Sequence, residues 1–194
     1  VGSASLSGFN TAWDFVEAPS QMLENWVYEP VVLDRMSGHF QEPSRTLPKE
    51  TIEKLRAARF FDAGWKYMRQ VFFATFDQQL HTSGPVVDPD AVEKKLYREL
   101  MGLEPLPETH FAATFGHLMG GYDAGYYGYL WSEVYAADMF TKFEAEGVLN
   151  GALGRKYRDV ILSLGRSVEP DVLLERFLGR PANDDAFMQR LGVE

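Results

Sequence analysis

The sequence has no cysteine among its 194 residues, which excludes disulfide scaffolds, thiolate nucleophiles and cysteine-bound zinc. Positive charge is also scarce. Its 19 lysines and arginines face 28 aspartates and glutamates, leaving a net charge of −9. A nucleic-acid footprint requires a basic stripe, so that class is excluded as well. No apolar run approaches the roughly 20 residues of a membrane-spanning helix. No stretch has the layout of a signal peptide, and internal repeats and low-complexity tracts are missing. Sustained apolar–polar alternation, the mark of a half-buried strand, is not found. An initiating methionine is missing too: the chain opens on Val1 and V-G-S-A-S-L-S-G-F-N, a small polar stretch expected to be a loop. It is expected to be the remainder of something longer.

What is present suits a packed helical protein. Apolar residues make up 45% of the chain and aromatics 14%, enough for a sizeable core. Phe61, Trp65, Met68, Phe72, Phe76 and Leu80 recur every three or four residues and place one apolar stripe on a helix starting near Pro48, with Gly64 leaving open a kink or two abutting helices. Asp88 and Pro89 read as the cap and first position of a second helix, which Gly102 ends. A third, from about Tyr126 to Glu146, is apolar on almost every side and stops at Gly147. Shorter helices are expected over Leu153–Leu164, Pro170–Leu178 and Asp184–Leu191. The expected fold is all-α, a multi-helix bundle treated as a single domain over residues 1–194.

Two constellations carry chemistry. In W-D-F-V-E-A-P-S-Q-M-L-E-N-W-V-Y (13–28), Glu17, Gln21, Glu24 and Tyr28 fall on one helical face, opposite Phe15, Met22, Leu23 and Trp26. Two carboxylates beside bulky aromatics need a metal, an arginine or solvent. Spacing leaves open a solvated polar face and a metal-ligating glutamate backed by a second carboxylate. In T-F-G-H-L-M-G-G-Y-D-A-G-Y-Y-G-Y-L-W (114–131), five glycines alternate with four tyrosines and His117. Glycines such as Gly120 and Gly121 let the backbone bend or approach a ligand closely. Tyr122, Tyr126, Tyr129 and His117 supply donors suited to an oxyanion or a peptide carbonyl. A phosphate loop is disfavoured because no G-x-x-x-x-G-K-[ST] occurs. His39, His81 and His110 read as isolated surface or capping residues.

D-F-V-E-A-P-S-Q-M-L-E-N-W (14–26) and F-G-H-L-M-G-G-Y-D-A-G-Y-Y-G-Y-L-W-S-E-V-Y (115–135) resemble the thimet oligopeptidase family of zinc metallopeptidases, and the likeness continues to G-R-P-A-N-D-D-A-F near the end. The resemblance implies a helical zincin that cleaves short peptides in a deep channel. In that family an H-E-x-x-H helix gives two histidine ligands and the general-base glutamate. The third ligand matches Glu17, and Glu24 matches an acidic position behind it. His117, Tyr122, Tyr126 and Tyr129 match the glycine–tyrosine loop that closes over bound peptide, Tyr126 and Tyr129 donating to the oxyanion. By this likeness Tyr126, Tyr129 and His117 are catalytic, while Tyr122, Gly120 and Gly121 bind substrate.

No H-E-x-x-H occurs in this sequence. One carboxylate falls short of the three protein ligands of a catalytic zinc, so the isolated chain is expected to be inactive without an upstream segment or partner chain that carries the motif. The alternative is a stand-alone peptide-binding or scaffold module without catalysis. Apolar surface beside Trp13, Phe15 and the tyrosine loop is expected to drive association with a partner or a second copy. An acidic, cysteine-free chain suits the cytoplasm.

Overall fold

Capping chemistry sets many of the helix boundaries. In the computed structural model, which describes residues 4–6, 9–85 and 87–193, the α-helices run in order: α1 (Ala18–Leu23), α2 (Pro30–Met36), α3 (Lys49–Ala58), α4 (Ala63–Thr82), α5 (Pro89–Leu96), α6 (Phe111–Thr114), α7 (Gly128–Glu146), α8 (Gly151–Tyr157), α9 (Pro170–Leu178) and α10 (Asp185–Leu191). No strand occurs among the described residues, and the fold is all-α. None of these helices is long and apolar enough to cross a membrane. Asp88 caps α5 as expected, its carboxylate accepting the N–H groups of Asp90 and Ala91 at 3.0 and 3.2 Å. Asn150 does the same for α8. Helix α9 stops at Gly179, whose φ of 83° would strain any side chain.

Several local expectations are decided or corrected. The stripe from Pro48 to Leu80 takes the two-helix alternative, α3 and α4, with the break before α4 at Asp62, in the left-handed region at φ 54°. Gly64 itself lies inside α4. The face carrying Glu17 and Glu24 is not one α-helix: Glu17 precedes α1, and Glu24 opens a 3-10 segment, Glu24–Tyr28. Leu23, assigned to the apolar face, is exposed, whereas Phe15 of the same face is buried, and Trp13 near it is exposed. The loop expected over residues 1–10 falls partly outside the described residues; within it, Ala4–Leu6 form a 3-10 turn.

The chain divides into two compact units: the described residues of Val1–Phe61 with Ser132–Glu194, and Asp62–Trp131. In the first, Phe15 and Met22 pack with Met139, Phe140 and Phe143 of α7 and with Leu173, Leu174 and Phe177 of α9. Trp26 meets Phe140 and Phe143 edge-on at 5.0 and 4.8 Å, and its indole N–H donates to the Val148 carbonyl at 2.8 Å. The buried Asp138 carboxylate accepts both terminal nitrogens of Arg180 and the Asn183 N–H, which fixes the G-R-P-A-N segment. In the second unit, Phe72, Phe73 and Phe76 of α4 pack with Leu96, Met101, Phe115, Leu118 and Tyr126.

Candidate active-site elements

The glycine–tyrosine segment lies wholly within the second unit, and its side chains converge. A 3-10 turn, Gly116–Met119, leads to Gly120, where a Cβ would stand 2.9 Å from the Gly116 carbonyl oxygen. Gly121 follows at φ 89°. This close approach and this conformation both require glycine. His117 then sits edge-on to Tyr122, Tyr126 and Tyr129, with ring centroids 5.5, 5.0 and 5.7 Å away. Tyr122 and Tyr129 stack at 5.1 Å. The Tyr129 hydroxyl lies 3.4 Å from His117 Nε2.

Tyr126 is held at both ends by α4. Its hydroxyl donates to Gln70 Oε1 at 3.1 Å, and its backbone N–H donates to Asp77 Oδ2 at 2.9 Å. Burial, reinforced by the neighbouring Tyr129, pushes its ionisation up to about 12, although Arg69 and the Gln70 hydrogen bond act the other way. A cleft of about 530 Å³ opens beside these groups, lined by His117, Tyr122, Tyr126, Gly116, Gly120, Phe73 and Arg69 among others. Tyr129 and Gly121 do not line it. A second cavity of about 440 Å³ shares Arg69, Phe73, Phe111 and Thr114 with the first and has Glu93, Tyr97 and His110 in addition. The Arg69 guanidinium lies 4.7 Å over the Phe73 ring.

Glu17 belongs to the first unit. It is half-buried at the start of α1, and the Ser20 hydroxyl reaches both its Oε2 and its carbonyl oxygen at 2.9 Å. Glu24 is exposed. Among the described residues no group of three or more His, Cys, Asp or Glu side chains is arranged to hold a metal ion. The described residues alone therefore do not fit a catalytic zinc site, which takes three protein ligands.

Sequence reading missed the groups that hold the loop: Gln70, Asp77 and Gln78, all on α4. A carboxylate among Phe72, Phe73 and Phe76 was the available signal, since burial there demands partners. His81, read as isolated, has Asp77 four residues back, its Nδ1 3.0 Å from Asp77 Oδ1. His110 pairs with Asp90 at 2.7 Å, and His39 Nδ1 accepts the Gln41 N–H.

The sequence profile of peptidase family M3 matches residues 2–193, essentially the whole chain. The chain belongs to peptidase family M3. Oligopeptidase A of Escherichia coli (strain K12) is 41% identical over 100% of this M3 chain and 29% of its own length. Thimet-like oligopeptidase of Dictyostelium discoideum is 36% identical with the same two coverages. Saccharolysin of Saccharomyces cerevisiae (strain ATCC 204508 / S288c) is 36% identical over 100% of this chain and 28% of its own length. This M3 sequence thus spans under a third of the length of these relatives, and both of its units fall within the match.

Proposed function

We propose that the chain is the C-terminal portion of a zinc oligopeptidase catalytic domain, to which both units belong, and that it hydrolyses short peptides once an H-E-x-x-H segment is supplied. The observation that carries this reading is the convergence of His117, Tyr122 and Tyr126 on one cleft, with Tyr129 beside His117. A tyrosine held above its usual ionisation range stays protonated at neutral pH, so Tyr126 remains a donor. In the resting arrangement its proton points at Gln70. A peptide carbonyl takes that position from Gln70, and Tyr126 and Tyr129 then donate to the oxyanion that develops on it as water adds, before the carbon–nitrogen bond breaks and the amine leaves. His117 orients the Tyr129 hydroxyl. Tyr122 and Gly120 form the wall against which the peptide lies, and Gly121 gives the turn its shape.

Glu17 is assigned the third metal-ligand position, with Glu24 behind it. The two histidine ligands and the general base belong to the H-E-x-x-H segment, in the same protein or in a partner chain, and self-association is a further way to cover the exposed apolar groups. A cytoplasmic setting fits the cysteine-free, acidic composition. A second reading, a peptide-binding module without catalysis, is favoured by the single proposed ligand in this chain. Variants of the full-length protein that carries this chain separate the two. E17Q is expected to lose zinc and turnover together, whereas E24Q keeps most of its zinc. Y126F and Y129F are each expected to lower kcat about a hundredfold, the typical worth of one preorganised oxyanion donor. Zinc retention and full turnover in E17Q would overturn the assignment.

A further inference from the structure

We propose that Asp77 is a positioning residue for the tyrosine loop, holding the turn before Tyr126 so that the ring is set before peptide arrives. The inference rests on the reading of this loop as the peptide-gripping element. The Asp77 carboxylate is fully buried on the aromatic side of α4, where an ionised group is tolerated only if its oxygens are satisfied. They are satisfied mainly by the loop, with His81 Nδ1 also 3.0 Å from Oδ1. Oδ1 accepts the Ala124 N–H and Oδ2 the Tyr126 N–H, each at 2.9 Å. The next residue of the helix, Gln78, donates from Nε2 to the Ala124 carbonyl at 2.7 Å.

The residue gripped in this way is an unusual one. Ala124 has φ 55°, in the left-handed region where Cβ crowds the following carbonyl oxygen. Nothing in an alanine favours that conformation; the Gly125 N–H closes the turn onto the Tyr122 carbonyl at 2.9 Å, and α4 adds a hold on the N–H and the carbonyl of Ala124 itself. Gln70, two turns earlier on the same helix, takes the Tyr126 hydroxyl. One helix therefore fixes the backbone and the tip of the same tyrosine. Gly116–Tyr122 lie before the turn that Asp77 and Gln78 hold. The loop is thus divided at Ala124 into a segment shaped by glycine and a segment anchored to α4.

The test uses the full-length protein with D77N, A124G and the double variant. Asparagine keeps one acceptor oxygen and turns an NH2 toward the second N–H. Glycine at 124 adopts a positive φ without the Cβ penalty, so it relieves what Asp77 otherwise enforces. D77N is expected to lower kcat about tenfold or more with KM changed less than about twofold, the pattern of a lost transition-state arrangement. Amide exchange at Ala124 and Tyr126 is expected to accelerate. In the A124G background the same D77N change is expected to cost about threefold less in kcat, a coupling that a general loss of stability would not produce. Unchanged kcat and unchanged exchange in D77N, or an equal D77N effect with Ala and Gly at 124, would overturn the proposal. If the parent protein cleaves no peptide, the peptidase reading fails, and exchange at Ala124 and Tyr126 in D77N and D77N/A124G still decides the role of Asp77.

Discussion

A phenol surrounded by other rings gives up its proton reluctantly. Tyr126 lies among Phe73, Phe115, His117 and Tyr129, with centroids about 5 Å away. Its ionisation near 12, against about 10 for an unfolded tyrosine, has a consequence of definite sign. Between those values the unfolded chain has lost this proton and the folded chain has kept it. The stabilisation is complete below about pH 10 and is lost as pH rises through the folded value. Urea midpoints are therefore expected to fall over that alkaline window, and Y126F is expected to flatten the fall. Burial raises Tyr157 as well, so it adds a fall of the same sign that survives in Y126F. At this scale the tyrosines and His117 were legible because chemically active residue types stood out in a glycine-rich run. Asp77 was not, because its role depends on backbone N–H groups 47 and 49 positions away. Spacing along a single helix cannot register such partners.

Helix ends were legible wherever a local group makes them. Asp88 before Pro89 and Gly179 after Leu178 each act within a few residues, and the boundaries fall where the sequence put them. The break before α4 had only Gly64 as a local signal, two residues beyond Asp62. Asp62 adopts a left-handed conformation that glycine would have announced, and the apolar periodicity continues across it. The C-terminal G-R-P-A-N segment is held by a distant group as well, here the buried Asp138 of α7. Its partner Arg180 keeps 42% of its side chain in contact with solvent, so the pair is worth less than a fully buried one. R180M would leave Asp138 buried with its N–H contact from Asn183 alone. The expected loss is about 2–3 kcal/mol in chemical denaturation, below the usual range for breaking a buried pair because of that exposure. R180K is expected to recover part of it, since lysine restores the charge without the two-pronged geometry.

The described residues form two cores, one around Phe140 and Phe177 and one around Phe72 and Phe76. Composition forecast a sizeable hydrophobic interior, but average composition carries no information about how it is divided. The proposed functional groups follow the same division, with the Glu17 carboxylate in the first unit and the tyrosine cleft in the second. The chain covers 29% of the oligopeptidase A length and carries no H-E-x-x-H. Under the proposed function Glu17 is a metal ligand and the tyrosine cleft grips peptide, and neither acts without the H-E-x-x-H residues. The most direct measurement is turnover of a quenched fluorescent peptide by this chain with zinc, in the presence and absence of the H-E-x-x-H segment. The account predicts no turnover by the chain alone and zinc-dependent turnover in the mixture. Hydrolysis by the isolated chain, abolished by a metal chelator and by Y129F, would contradict it.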